Sequence, residues 1–122
     1  MNYIAQINAF FDRLPSRPLS VHAVAMWCYL THLANRAGWP RDGVVVREDT
    51  LRGVLGIGHG TFCRARAELA AAGLIAVLHG TGNRPPRYVL ADLTQQAQKV
   101  ATVNKDIHSQ SLRDRLQSSL PS

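Results

Sequence analysis

The stretch "VHAVAMWCYLTHLANRA", residues 21–37, constrains the fold more than any other. Its apolar residues run around most of the girth of a helix instead of along one stripe. A helix of that kind has to be covered on several sides, so it is expected to be the central, most buried element. Ser20 stands before it as a good N-cap. Gly38 follows as the residue able to take the left-handed conformation that ends a helix.

The segments on either side read as material for covering that helix. Tyr3, Ile7, Phe10 and Leu14 recur at helical spacing, as do Ile4, Ile7, Phe11 and Leu14, which predicts a first helix over 2–14. Pro15 and Pro18 break it, because neither can continue a backbone ladder. After the central helix, "GWPRDG" reads as a turn, and the β-branched run Val44–Val46 as a short strand. "REDTLRGVLG" predicts a third helix with Leu51, Val54 and Leu55 on its inner face. Gly56 and Gly58 flank Ile57 in a tight turn, and "HGTFCRARAELAAAG" predicts a fourth helix ended by Gly73. Phe62, Ala65 and Leu69 share one side of it. "LIAVLHG" and "PRYVLADL" read as strands joined by "GTGNRPP", a loop of turn formers.

Helix, helix, short strand, helix, turn, helix, strand, loop, strand is the expected order. It predicts an α+β fold, mainly helical: a winged helix-turn-helix with a C-terminal β-hairpin as its wing. The domain is expected over residues 1–92, and residues 93–122 form a polar tail or linker without aromatics. In that tail Leu112, Leu116 and Leu120 recur four apart, a spacing that fits a short helix with too little apolar surface to fold alone. A length of 122 residues suits one modest core. No apolar run reaches the ~18 residues of a membrane span. The N-terminus lacks the basic start and small-residue cleavage site of a secretory signal, which points to the cytoplasm and, for a DNA binder, the nucleoid.

The net charge is +6, and its distribution tells more than its size. Residues 57–90 hold Arg64, Arg66, Arg84 and Arg87 against Glu68 alone, a net of +3. A concentrated basic segment in a small domain implies an anionic partner, with nucleic acid first. On the fourth helix, His59, Gly60, Thr61, Cys63, Arg64 and Ala67 face away from Phe62, Ala65 and Leu69. Such a helix lays its N-terminal half in the major groove of double-stranded DNA. Arg64 suits a bidentate contact with guanine or a phosphate clamp. Thr61 can bond a phosphate or pack its methyl on thymine. His59 and Gly60 leave first-turn amides for a phosphate oxygen. A helix start positive both by dipole and by side chain is relieved when an anion docks there. Arg66 points to the flank, toward the neighbourhood of Glu68, and is assigned no base. In the hairpin, Asn83, Arg84 and Arg87 stand among Gly80, Gly82, Pro85 and Pro86, and arginine at such a tip reaches phosphate or the minor groove. Arginines on a surface helix are more often only a solvated face; here the turn, the basic helix and the basic hairpin come in order.

Other chemistry finds little support. The five histidines, His22, His32, His59, His79 and His108, read as scattered, with no cysteine or acid at ligand spacing. Cys28 and Cys63 give no disulfide framework and read as reduced thiols serving as small apolar groups. No nucleophile elbow, P-loop or dinucleotide fingerprint is present. No enzyme activity, metal or cofactor is expected.

"LSVHAVAMWCYLTHLANRAGWP" followed by "GIGHGTFCRARAELAAAGLI" resembles the N-terminal winged-helix domain of DnaD-like replication proteins, which include replisome organisers of phages and integrative elements. The likeness covers residues 1 to about 92. The "N-R-A-G-W-P" turn is its more particular part; the "F-x-R-A-R-x-E-L-x-x-x-G-L-I" pattern is shared widely among winged helices. The resemblance implies a role at a replication origin, recruitment of replication proteins through a further domain, and self-association through the winged helix. There are departures. Arg47 stands where a Ser or Asn cap is usual, which frays that helix start or aims Arg47 at DNA. Gly58 and Gly60 stand where Ser is common, removing two hydroxyls from the expected phosphate contacts. The second, helical domain has no counterpart before Ser122, so the sequence is expected to be either an excised domain or a small stand-alone protein.

These readings converge on a double-stranded DNA-binding protein in replication initiation of a phage or mobile element. A transcriptional regulator using the same surface and a protein-interaction winged helix are the alternatives. A homodimer or higher oligomer is expected, because Tyr3, Phe10 and Phe11 give the first helix more large apolar groups than one face needs.

Overall fold

A computed structural model describes residues 1–94. The chain divides into two units, Met1–Ala91 and Asp92–Ser122. The second unit is described only over its first residues, where Asp92 Oδ1 accepts from the amide and the hydroxyl of Thr94. The expected helix around Leu112–Leu120 lies outside the described residues.

The first unit holds four helices, α1 (Tyr3–Arg13), α2 (Val21–Arg36), α3 (Glu48–Leu55) and α4 (His59–Ala71). A small antiparallel sheet of β1 (Val44–Val45), β2 (Ile75–Leu78) and β3 (Arg87–Leu90) completes it, in the order β1-β3-β2. The architecture is therefore α+β and mainly helical. The strands are shorter than the apolar runs that mark them, although single backbone bonds continue past their ends, from Val46 N to Pro86 O at 3.3 Å and from Ala91 N to Leu74 O at 3.0 Å.

α2 is central, packing on α3, α4, β1 and β3. Ala23, Met26, Trp27, Leu30, Thr31 and Ala34 are its buried residues. Apolar residues elsewhere on the girth are less covered than the composition implies: Val21, in the first turn, is 81% exposed. The C-terminal turn closes as expected. Gly38 takes φ 79°, and the Trp39 amide donates back to Ala34 O at 2.8 Å, the long bond of a Schellman motif. The same arrangement ends α4, with Gly73 at φ 72° and Leu74 N to Leu69 O at 3.0 Å.

The faces of α1 and α3 depart from the periodicity. Phe10 is fully buried, its ring stacked on Trp27 at 3.7 Å between centroids and 4° between planes. Tyr3 is half-buried, tilted against Trp39 at 6.3 Å. Ile4 and Phe11 are left exposed. The large apolar groups of α1 are thus mostly spent on the core, and the expected dimer face shrinks to Ile4 and Phe11. On α3 only Leu51 is fully buried; Val54 is exposed and Leu55 half-buried. Eight residues make little more than two turns, so one inward position reaches the core and the next rows fall on its rim.

Two polar clasps hold α1 in place. Gln6 Nε2 donates to Ala91 O at 2.7 Å, beyond the end of β3, and Arg13 Nη2 to Ala72 O at 3.1 Å, at the end of α4. Arg13 thus places a cation on the negative end of the α4 dipole. Burial, with Arg17 adding to it, lowers the Arg13 pKa. Gly43 has φ 85°, and a Cβ there would overlap the Tyr88 carbonyl oxygen where β1 meets β3. Only glycine admits that approach.

Candidate nucleic-acid interface

α3 and α4 are joined across Gly56, which ends α3 at φ 66°, and Gly58, which begins α4. Phe62, Ala65 and Leu69 are buried, as their spacing requires, and this fixes what α4 presents outward. His59, Gly60, Arg64 and Ala67 are exposed, and Thr61 and Cys63 are half-buried. Gly58 offers no side-chain cap, and the first turn of α4 contains no acid. Its first amides therefore have no acceptor within the helix.

Two groups of side chains sit on this surface. Arg64 folds back toward the helix start, its Nη2 donating to Thr61 Oγ1 at 3.2 Å beside the bare backbone of Gly60. These three residues form an exposed cationic step at the first turn. On the other flank, His59 Nδ1 lies 2.6 Å from Glu48 Oε2. An ionised carboxylate only accepts, so Nδ1 carries the proton. This bond holds the Glu48 carboxyl below the usual carboxylate range, helped by the charges of His59, Arg52 and Arg66 and opposed by burial. Cys63 Sγ lies 3.4 Å from His59 Nε2. Glu48 also meets Arg52 at 3.5 Å.

The expected site residues therefore divide. Gly60 and Arg64 are exposed together, with the half-buried Thr61 bonded to Arg64. His59 is already engaged by Glu48, and Cys63 lies against the imidazole instead of serving as a small apolar group. The histidines are not all scattered: His59 and Cys63 are four apart on one helix, and Glu48 joins them from α3. The positive start of α4 thus has an acid near it after all, supplied from another element. Arg47 occupies the cap position of α3 without a side-chain cap bond, and its Nε lies 3.7 Å from Asp49. Both partners are well exposed, so that pair holds Arg47 only weakly.

In the hairpin, Asn83 and Arg84 are exposed in the loop, with Gly82 at φ 66°. Gly80 lies so close to Arg84 that an added Cβ would sit 2.7 Å from its carbonyl oxygen. Arg87 is not at the tip. It is half-buried at the start of β3, in register with Val45 on one side and Leu78 on the other.

Arg66 turns inward along the flank, its guanidinium 5.0 Å from the Phe62 ring centre. Burial raises the pKa of the Tyr88 phenol, and the nearby Arg66 charge opposes this. Glu68, expected near Arg66, instead caps another helix. Its carboxylate accepts from the Ser20 amide at 2.6 Å and the Ser20 hydroxyl at 2.7 Å. The Glu68 and Glu48 contacts could not be read from the sequence, because each joins residues distant along the chain. The only local signal was the spacing of His59 and Cys63.

Among the described residues no helix is long and apolar enough to cross a membrane. Comparison with protein-family models, with curated proteins and with solved structures gave no match.

Proposed function

We propose that this chain binds double-stranded DNA as a winged helix-turn-helix, with α4 in the major groove and the β2–β3 hairpin as the wing. The observation that carries the reading is the start of α4. It has no cap and no acid in its first turn, is flattened by Gly60, and is flanked by Arg64 and Thr61 on an exposed face. Amides, dipole and guanidinium there all favour an anion. The order of α2, β1, α3, α4, β2 and β3 and the sheet order β1-β3-β2 fit a winged helix. Asn83 and Arg84 at the hairpin tip fit a backbone or minor-groove contact. Together with the resemblance to DnaD-like proteins, this favours a role in replication initiation, as a homodimer or higher oligomer acting with other replication proteins.

Fluorescence anisotropy with labelled duplexes over a range of salt tests the reading. Neutralising four to six phosphates gives a log–log salt slope of about −4 to −5. Arg64→Ala should cost about 1–3 kcal/mol on the preferred site and flatten discrimination. Arg84→Ala should weaken all duplexes alike and reduce the slope by about one. Absence of binding to any duplex, or binding indifferent to salt, would move the surface to protein recognition. Footprinting then separates the roles: repeats at an origin support replication, an operator at a promoter supports transcriptional control.

A further inference from the structure

We propose that His59, Cys63 and Glu48 form a binding site for a zinc-class divalent cation, with the imidazole and the thiolate as ligands and the carboxylate orienting the ring. The site is independent of whether α4 binds DNA.

Helical spacing puts His59 and Cys63 on the same side of the first turns of α4, since residues four apart are neighbours on a helix. Glu48, in the first turn of α3, arrives across the Gly56–Gly58 turn. One potential ligand atom from each of the three lies within 4.8 Å of the others. Two distances within the cluster match what a metal requires. A tetrahedral zinc with bonds of about 2.3 Å to sulfur and about 2.0–2.1 Å to nitrogen separates those two ligand atoms by roughly 3.5 Å. His59 Nε2 and Cys63 Sγ are 3.4 Å apart. The second is the 2.6 Å bond from Nδ1 to Glu48, which fixes the ring and leaves Nε2 as the nitrogen available to a metal. A histidine ligand held through its other nitrogen by a carboxylate is the usual outer shell of a zinc site.

The donor set selects the ion. A thiolate with an imidazole favours zinc over magnesium or calcium, which prefer an all-oxygen shell. His59 is 65% exposed at its side chain, so the remaining coordination positions open to water. Binding displaces the thiol proton to solvent, and the ion then adds a net single positive charge at the start of α4.

The test is titration of the untagged, reduced protein with cobalt(II), followed by displacement with zinc. A thiolate-to-cobalt charge-transfer band in the near ultraviolet, saturating at one equivalent, bleached by zinc and untouched by magnesium, is expected. Cys28→Ser should retain the band and Cys63→Ser should lose it. Glu48→Gln should keep it with affinity lowered by about 10–100-fold, as for loss of an outer-shell partner. His59→Ala should cost at least as much. Circular dichroism of each metal-free variant establishes that it is folded, and a melting-temperature rise with zinc in the parent but not in Cys63→Ser gives a second readout. Absence of the band from the folded parent protein, or a band indifferent to His59→Ala and Glu48→Gln, overturns the site.

Discussion

α2 and α4 begin in opposite ways. α2 starts at Ser20, whose hydroxyl accepts from the Ala23 amide while its own amide and hydroxyl donate to the Glu68 carboxylate. A cap and an anion are both present at that positive end. α4 starts at Gly58, with no side-chain cap and no acid in its first turn, and the Glu48 carboxylate that α3 brings to it is bonded to His59. The same chain thus satisfies one helix start within the fold and leaves the other without a side-chain cap.

The strongest way to break this contrast is at α2. Ser20→Ala with Glu68→Ala should destabilise the fold by about 2 kcal/mol, near the upper end for losing a cap. Urea denaturation measures it, and a loss below about 0.5 kcal/mol would make the two starts equivalent. At α4 the opposite sign is expected. Gly58 has extended backbone and nothing within 4 Å of an added Cβ, so a larger residue fits. Gly58→Asp should stabilise the fold by about 0.5–1 kcal/mol through the cap and the dipole. It should also weaken duplex binding by about tenfold, because the carboxylate takes the place of a phosphate. If both stability and DNA affinity rise, the start of α4 is not where DNA docks.

The smallest effect sharpens the role of Glu48. Its folded pKa is lowered below the ordinary 4.5, so its contribution is fully present above that value and fades as pH falls through the folded one. In metal-free protein, His59→Ala removes the main cause. The variant's melting temperature should therefore change less than the parent's across that acid range. The difference is small because water screens the pair. Parallel curves would show that the bond from His59 does not persist in solution.

The contrast between the two starts also marks what the sequence could disclose. Ser20, Gly38 and Gly73 were legible because caps and left-handed ends are local chemistry. Phe62, Ala65 and Leu69 were legible because one periodicity specifies one buried face. Glu68 at Ser20, Glu48 at His59 and Arg13 at Ala72 were not, since each pairs residues of different elements and depends on how those elements cross. Val54 lies outside the core for a related reason: helical spacing gives a face, but the length of α3 decides how much of that face reaches the core. Arg64, Thr61 and Gly60 were placed by the same local rule as Phe62, whereas the engagement of His59 and Cys63 emerged only when α3 met α4.

The strand order carries a consequence for how the protein is made. β3 is last among the strands in the chain and lies between the other two, so no part of the sheet can form until residues 87–90 have been synthesised. Both clasps on α1 also wait, one for Ala72 and one for Ala91. At about 5–20 residues per second, a nascent chain carries an unpaired β1 for roughly 2–9 s before its partner is complete. During that interval the side of α2 destined for the sheet has no cover, and the nascent chain is most open to chaperones and to pairing with a neighbour on the same message.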